Sequence, residues 1–144
     1  ISRCDWSSDV CSSDLNMNDC LFCKIMNGEI PSKKIYEDDK VYAFLDINPN
    51  SNGHVLLIPK KHYVTVLDID KDFIGYALEV IQEKLYPLLK TKLGIDGLTI
   101  SQNNFLGQDV KHYHIHLIPR YNKNNPLKEK MDVEKIYQKL TSNN

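Results

Sequence analysis

His112-Tyr113-His114-Ile115-His116-Leu117-Ile118-Pro119 is the stretch on which the reading of this chain turns. It holds three of the five histidines, at i, i+2 and i+4. Tyr, Ile and Leu stand between and after them. These are β-formers, and a period of two marks a strand, which sends alternate side chains to one face. The three imidazoles are therefore expected on one face, successive rings roughly 6.6 Å apart at about 3.3 Å per residue. Tyr113, Ile115 and Leu117 pack the other face. Pro119 has no N–H for the ladder and fits a strand's end.

Three readings suit such a row. The plainest is a half-exposed strand with histidine on its polar face. The second is a metal site, because neutral imidazole binds zinc and an open three-histidine site activates water. The third is nucleophilic catalysis, one imidazole attacking while its neighbours handle protons and charge. Spacing alone leaves the last two open.

Toward the N-terminus, residues 1–16 lack an apolar period, a signal-peptide core and a basic flank. Asp5 to Leu15 back-translates into a common sequencing-library adapter. Residues 1–16 are therefore expected to be a disordered, non-native leader, with a natural start at Met17 and a single domain over 17–144. Setting Arg3, Asp5, Asp9 and Asp14 aside takes the basic residues from 18 to 17 and the acidic from 19 to 16. A near-neutral chain makes no electrostatic case for nucleic acid or a membrane surface. No apolar run nears the roughly 18 residues of a membrane span. The expectation is a soluble, cytoplasmic protein. In a reducing compartment, Cys20-Leu21-Phe22-Cys23 reads as a redox pair or half a zinc site before a disulfide. Its missing half would be two further nitrogen or sulfur ligands, and histidines are the candidates.

The remaining elements follow from pattern. A helical turn around Lys24–Asn27 closes at Gly28. Ile35–Glu37 and Val41–Asp46 read as strands about an Asp38-Asp39 turn. Asn48–Gly53 is dense in turn residues, and His54–Pro59 is a buried-type strand. Over 71–93, Phe73, Ile74, Ala77, Leu78, Ile81, Leu85, Leu88 and Leu89 recur at helical spacing, with Pro87 expected to kink or split the helix and Gly94 to cap it. Gly97–Asn103 is a strand, and Asp132–Leu140 a modest amphipathic helix. The class is α+β: a mostly antiparallel sheet of about five strands, one long helix and a short C-terminal helix.

The histidine row follows the pattern His-φ-His-φ-His-φ-φ, with φ apolar. It is joined in order by Cys20-x-x-Cys23-Lys24-Ile25, Gly28-Glu29-Ile30-Pro31, Phe44-Leu45-Asp46-Ile47, Gly53-His54-Val55-Leu56-Leu57-Ile58-Pro59-Lys60 and Asn103-Asn104. On these residues the chain resembles the histidine triad (HIT) superfamily, in particular its small bacterial, Hint-like members, over nearly all of 19–122. The resemblance implies the HIT-like fold and a nucleotide-binding hydrolase that breaks a bond at an α-phosphate. It implies that His114 attacks phosphorus to give a nucleotidyl-histidine, that the carbonyl of His112 holds the His114 ring, and that His116 and His54 contact phosphoryl oxygens or the leaving group. Asp46 would take the ribose hydroxyls, and Ile47, Phe44 and Ile35 would form an apolar slot for a purine base. Asn103 and Gln108 would lie near the phosphate. Asp109 stands where such members often carry a hydroxyl; an ionised aspartate cannot donate as a hydroxyl does, and would instead orient a histidine or favour a leaving group that is an amine or carries a cation. Cys20, Cys23, His62 and His112 would hold a structural zinc. No organic cofactor is implied. A homodimer is implied, with Val80, Tyr76 and Leu88 widening the apolar face of the long helix. A dinucleoside polyphosphate hydrolase and a weakly catalytic nucleotide-binding regulator are the alternative functions.

Overall fold

The computed structural model describes residues 20–142 and, besides these, the backbone of two short paired strands, Cys4–Asp5 and Asp9–Val10. Apart from that pair, the expected leader over 1–16 lies outside the described residues.

Five strands form one sheet: β1 (Lys34–Glu37), β2 (Val41–Leu45), β3 (Val55–Pro59), β4 (Gly97–Ser101) and β5 (Ile115–Arg120). Their spatial order is β1-β2-β3-β5-β4, and every neighbouring pair is antiparallel. Alternation divides the sheet into two faces. Val41, Ala43, Leu45, Val55, Leu57, Tyr113, Ile115 and Leu117 face a long helix and join the main core. Tyr42, Phe44, Leu56 and Ile58 face the other way and pack against α1 (Leu21–Met26), with Phe22 and both cysteines. The histidines belong to this second face. Because β2 and β3 are buried on both sides, each is a continuous apolar run.

The long helix is α2 (Lys71–Val80), a π turn over Ile81–Leu85 and α3 (Tyr86–Leu93). The expected break at Pro87 takes this form. Proline offers no N–H to the preceding turn and crowds its carbonyl. The ladder widens ahead of it, and the N–H of Tyr86 reaches back to the Ile81 carbonyl. Gly94 ends α3 with a left-handed φ of 64°. The C-terminal helix α4 (Val133–Thr141) is N-capped by Asp132 and buries Ile136 and Leu140 in the main core. Among the described residues no helix is long and apolar enough to cross a membrane.

Four expectations need correction. The ladder of the histidine strand begins at Ile115, so only His116 lies within it. The N–H of Tyr113 bonds instead to the Tyr63 carbonyl at 2.6 Å, a loop partner. Alternation still continues back through His112, as the burial of Tyr113 in the main core shows. Pro119 is inside the strand rather than at its end, opposite Leu98 in the register with β4. Ile35 does not join Phe44: a register shift between Lys34 and Tyr36 leaves both Ile35 and Tyr36 packed on the helix-side core. Val80 is buried in that core and Tyr76 bonds to Asp38, so neither is spare apolar surface. Ile74, Leu78 and Tyr86 are the large hydrophobic residues of the long helix left exposed, with Ile100 on the edge strand β4.

The loop between β2 and β3 is pinned from several sides. Asn52 donates to the carbonyls of Leu127 and Glu129, each at 2.8 Å, and accepts from the N–H of Met131 at 2.8 Å. Tyr121 donates its hydroxyl to the Asn52 carbonyl at 2.6 Å. Gly53 has φ of 86°, and a Cβ there would sit 2.6 Å from Leu93 Cδ1. Both the left-handed backbone and the close approach require glycine. Gly53→Ala is expected to lower stability by about 1–3 kcal/mol, read as a lower urea midpoint at unchanged slope.

Candidate functional site

All five histidines and two cysteines gather where α1, β3 and the approach to β5 meet. Three of the rings, those of His54, His112 and His114, are each held by a backbone group. The carbonyl of Pro59 accepts from His112 Nε2 at 3.0 Å. A carbonyl can only accept, so Nε2 carries the proton and Nδ1 of His112 presents its lone pair. That lone pair faces Cys20 Sγ at 3.3 Å, Cys23 Sγ at 3.6 Å and His62 Nδ1 at 3.1 Å, and Cys23 Sγ lies 3.4 Å from His62 Nδ1.

These separations, 3.1 to 3.6 Å, lie close to the edges of a tetrahedron, about 3.3–3.8 Å for zinc bonds of about 2.0–2.3 Å. The donor set is also of zinc type, two sulfurs and two imidazoles within 4.8 Å of one another. The second ring nitrogen of His112 is fixed by a carbonyl, as metal-binding histidines require. Burial, then the neighbouring Cys20, pushes the Cys23 thiol up to about 12, so two thiolates here call for a cation. The four residues therefore form a buried cluster able to coordinate a metal, and they fit a structural zinc. It would tie α1 to the root of the histidine strand.

The carbonyl of His112 holds the next ring, accepting from His114 Nδ1 at 2.7 Å. By the same logic His114 is protonated on Nδ1 and offers Nε2 as an unshared lone pair. Phe22 packs edge-on against His114, with ring centroids 5.1 Å apart, and the His116 ring lies 4.9 Å away. His116 Nδ1 is 3.0 Å from His54 Nε2, and Asp46 Oδ2 lies 3.8 Å from the same His54 atom. Burial lowers the affinity of His54 for a proton, to a pKa of about 4, against the opposing pull of Asp46. His116 is lowered too, by burial and His114, while Asp46 and Asp109 act the other way.

Not every expected residue stands as the motif suggests. The other Asp46 oxygen accepts from the Asn48 N–H at 2.9 Å, which closes the start of the loop. Ile47 is exposed beside it, and Phe44 is buried with Phe22 on the same sheet face. Both ring nitrogens of His54 are engaged, Nδ1 by the Asn50 N–H at 3.0 Å. Gln108 is buried, and its amide is taken up within the loops: Nε2 donates to the Val64 carbonyl at 2.5 Å and Oε1 accepts from the Phe105 N–H at 3.1 Å. Asn103 is exposed just beyond β4, while its neighbour Asn104 accepts from the Val66 N–H at 2.8 Å. Phe22 was not among the residues expected here. It lies inside the C-x-x-C spacing, where it reads as an ordinary apolar helix residue. The carbonyl of Pro59 and the N–H of Asn50 are backbone groups and leave no residue-type signal.

Fold and site define a class: a small α+β protein whose chemistry rests on a row of imidazoles, anchored beside a Cys2His2 cluster. The HIT domain family matches residues 27–123, and the chain belongs to that family. A HIT-like protein of Methanocaldococcus jannaschii is 50% identical over 104 residues, 71% of this chain and 79% of the relative. The adenosine 5′-monophosphoramidase of Candida albicans is 44% identical over 108 residues, 70% of each. The crystal structure of a zinc-bound histidine triad family protein from Mycobacterium smegmatis superposes with a TM-score of 0.76 at 32% identity, over 87% of this chain and 92% of that one. The chain thus has nucleotidyl-hydrolase chemistry of the HIT type, resting on its histidine cluster.

Purified without chelator, the chain is expected to carry about one zinc per molecule. Cys23→Ala should lose it and unfold at lower temperature, read by elemental analysis beside a thermal melt.

Proposed function

We propose that the chain hydrolyses purine nucleoside 5′-phosphate derivatives, in particular phosphoramidates and adenylyl conjugates, through a nucleotidyl intermediate on His114. One observation carries this reading: the 2.7 Å bond from His114 Nδ1 to the His112 carbonyl, which leaves Nε2 as the nucleophile. A bond forms from Nε2 to phosphorus as the bond from phosphorus to the leaving group breaks. The departing amine takes a proton from solvent. Water then attacks phosphorus, His114 leaves as neutral imidazole, and the released nucleoside monophosphate returns one proton. The positive charge on the phosphorylated ring is stabilised by the same carbonyl.

The neighbouring residues take roles around this centre. Asp46 keeps its Oδ2 edge toward His54 and can accept from ribose hydroxyls. Phe44 and Ile47 line the base side, with Phe22 added to them in place of Ile35. Asn103, exposed at the end of β4, contributes an amide donor near the phosphate, and Gln108 shapes that loop. The yeast phosphoramidase among the relatives supports an amine leaving group. Asp109 would add to this preference if its carboxylate borders the leaving group, where it would attract a cation and repel an anion. The protein would act in the cytoplasm as a homodimer, joined through the exposed Ile74, Leu78 and Ile100.

His114→Ala should lower AMP release from adenosine 5′-phosphoramidate by on the order of a thousandfold or more. Wild-type protein quenched during turnover should carry a covalent nucleotidyl group that the variant lacks. AMP release from the variant at the wild-type rate would sink the mechanism. Asp109→Ser should shift the ratio of rates between adenylyl-lysine and a diadenosine polyphosphate by about tenfold, against the lysine conjugate. An unchanged ratio would remove Asp109 from leaving-group selection.

A further inference from the structure

We propose that the backbone N–H of Asn50, acting through the ring of His54, fixes His116 as a neutral imidazole carrying its single proton on Nε2. This rests on the hydrolase reading above for its use in catalysis, though not for its geometry. His54 and Asn50 would then be positioning elements, and His116 a hydrogen-bond donor toward the phosphoryl group.

The argument runs along two hydrogen bonds. An amide N–H can only donate, so the 3.0 Å contact from Asn50 makes His54 Nδ1 an acceptor. In a neutral ring the proton of His54 must then be on Nε2. That proton points at His116 Nδ1, 3.0 Å away, and makes it an acceptor in turn. His116 is left with its proton on Nε2. Charging His116 would reverse the sequence: a proton on its Nδ1 would face His54 Nε2, driving the His54 proton to Nδ1, against the Asn50 N–H. Two donors head to head in a buried site are costly, and His54 is 2% exposed.

The loop holds the N–H of Asn50 in place. The Asn48 N–H is bound by Asp46, the hydroxyl of Ser51 donates to the Pro119 carbonyl at 2.6 Å, and Asn52 is tied to the C-terminal segment. The charged and titratable groups facing the pair are Asp46, Asp109 and His114. The two carboxylates favour a charged His116, and burial and His114 oppose it; the two bonds settle the balance toward neutral. Asp46, His54 and His116 also lie close enough together to hold a cation. Binding one through His54 Nε2 would need the proton on Nδ1, which the Asn50 N–H resists. The trio is thus a hydrogen-bonded relay rather than a metal site. A neutral imidazole donating to developing negative charge lowers the barrier without having to be charged first.

The test is nitrogen NMR of the histidine rings in the full, zinc-loaded chain. His116 should show a protonated Nε2 and an unprotonated Nδ1, and should keep that pattern as pH falls from neutral through the ordinary histidine range near 6.5. Asn50→Ala keeps the N–H and should keep the pattern. Asn50→Pro removes the N–H, and His54→Leu the relay; each should let His116 take up a proton near neutral pH and lower kcat for the phosphoramidate by at least about tenfold. His54→Gln restores a donor at the position of Nε2 and should recover the neutral His116 if the other variants fold poorly. A His116 protonated on Nδ1 in the wild type, or an unchanged pattern in His54→Leu, would overturn the inference. So would a second equivalent of zinc that perturbs the His54 and His116 signals. A wild type with the expected ring pattern and no AMP release would sink the hydrolase reading and leave this inference standing.

Discussion

Everything at this site depends on one constraint: a neutral imidazole has one proton and two nitrogens, so fixing one nitrogen decides the other. The chain applies it three times with backbone groups. The Pro59 carbonyl takes the Nε2 proton of His112, and Nδ1 turns to the two sulfurs and His62. The His112 carbonyl takes the Nδ1 proton of His114 and leaves Nε2 open. The Asn50 N–H does the reverse at His54. Three chemically identical side chains thus acquire different roles without any difference in residue type. Each anchoring group lies in a strand or a pinned loop, so the assignment is as rigid as the fold.

The sheet makes those anchors possible. Its main face is closed by the broken long helix and α4, and the second by α1, which packs on Phe44, Leu56 and Ile58. Burial on both faces lowers the proton affinity of His54, His112 and His116, for desolvation penalises the charged form. Neutral rings are what both a metal ligand and a nucleophile need. The Cys2His2 cluster then links α1 to the approach to β5, since Cys20 and Cys23 lie far in sequence from His112. A metal there would tie α1 in place, and α1 brings Phe22 against His114.

Much of this was legible in residue order. The alternation through His112, His114 and His116 indicated a common face, and the C-x-x-C spacing indicated half a ligand set. Pro87 signalled a break in the long helix, which the structure realises as a π turn. What stayed hidden has physical causes. A strand's ladder depends on its partner's carbonyls, so nothing in the alternating row showed that pairing starts only at Ile115. The shift that carries Ile35 to the helix side is set by the register with β2, not by Ile35 itself. Gln108 looked available for a ligand because its residue type is suited to one. Only folding brings the Val64 carbonyl and the Phe105 N–H to its amide.

By itself the sequence determined the periodicities and the chemistry on offer: which residues alternate, where the chain must turn, and that imidazoles and thiols are present at ligand spacing. These are local properties, set by side-chain type and by a repeat of two or 3.6 residues. The tertiary structure decided which nitrogen of each imidazole is free, because that rests on a single backbone group brought from elsewhere in the fold. For His112 that group is the Pro59 carbonyl, fifty-three residues away. Hydrogen bonds of this kind are directional and non-local, and no residue code records them.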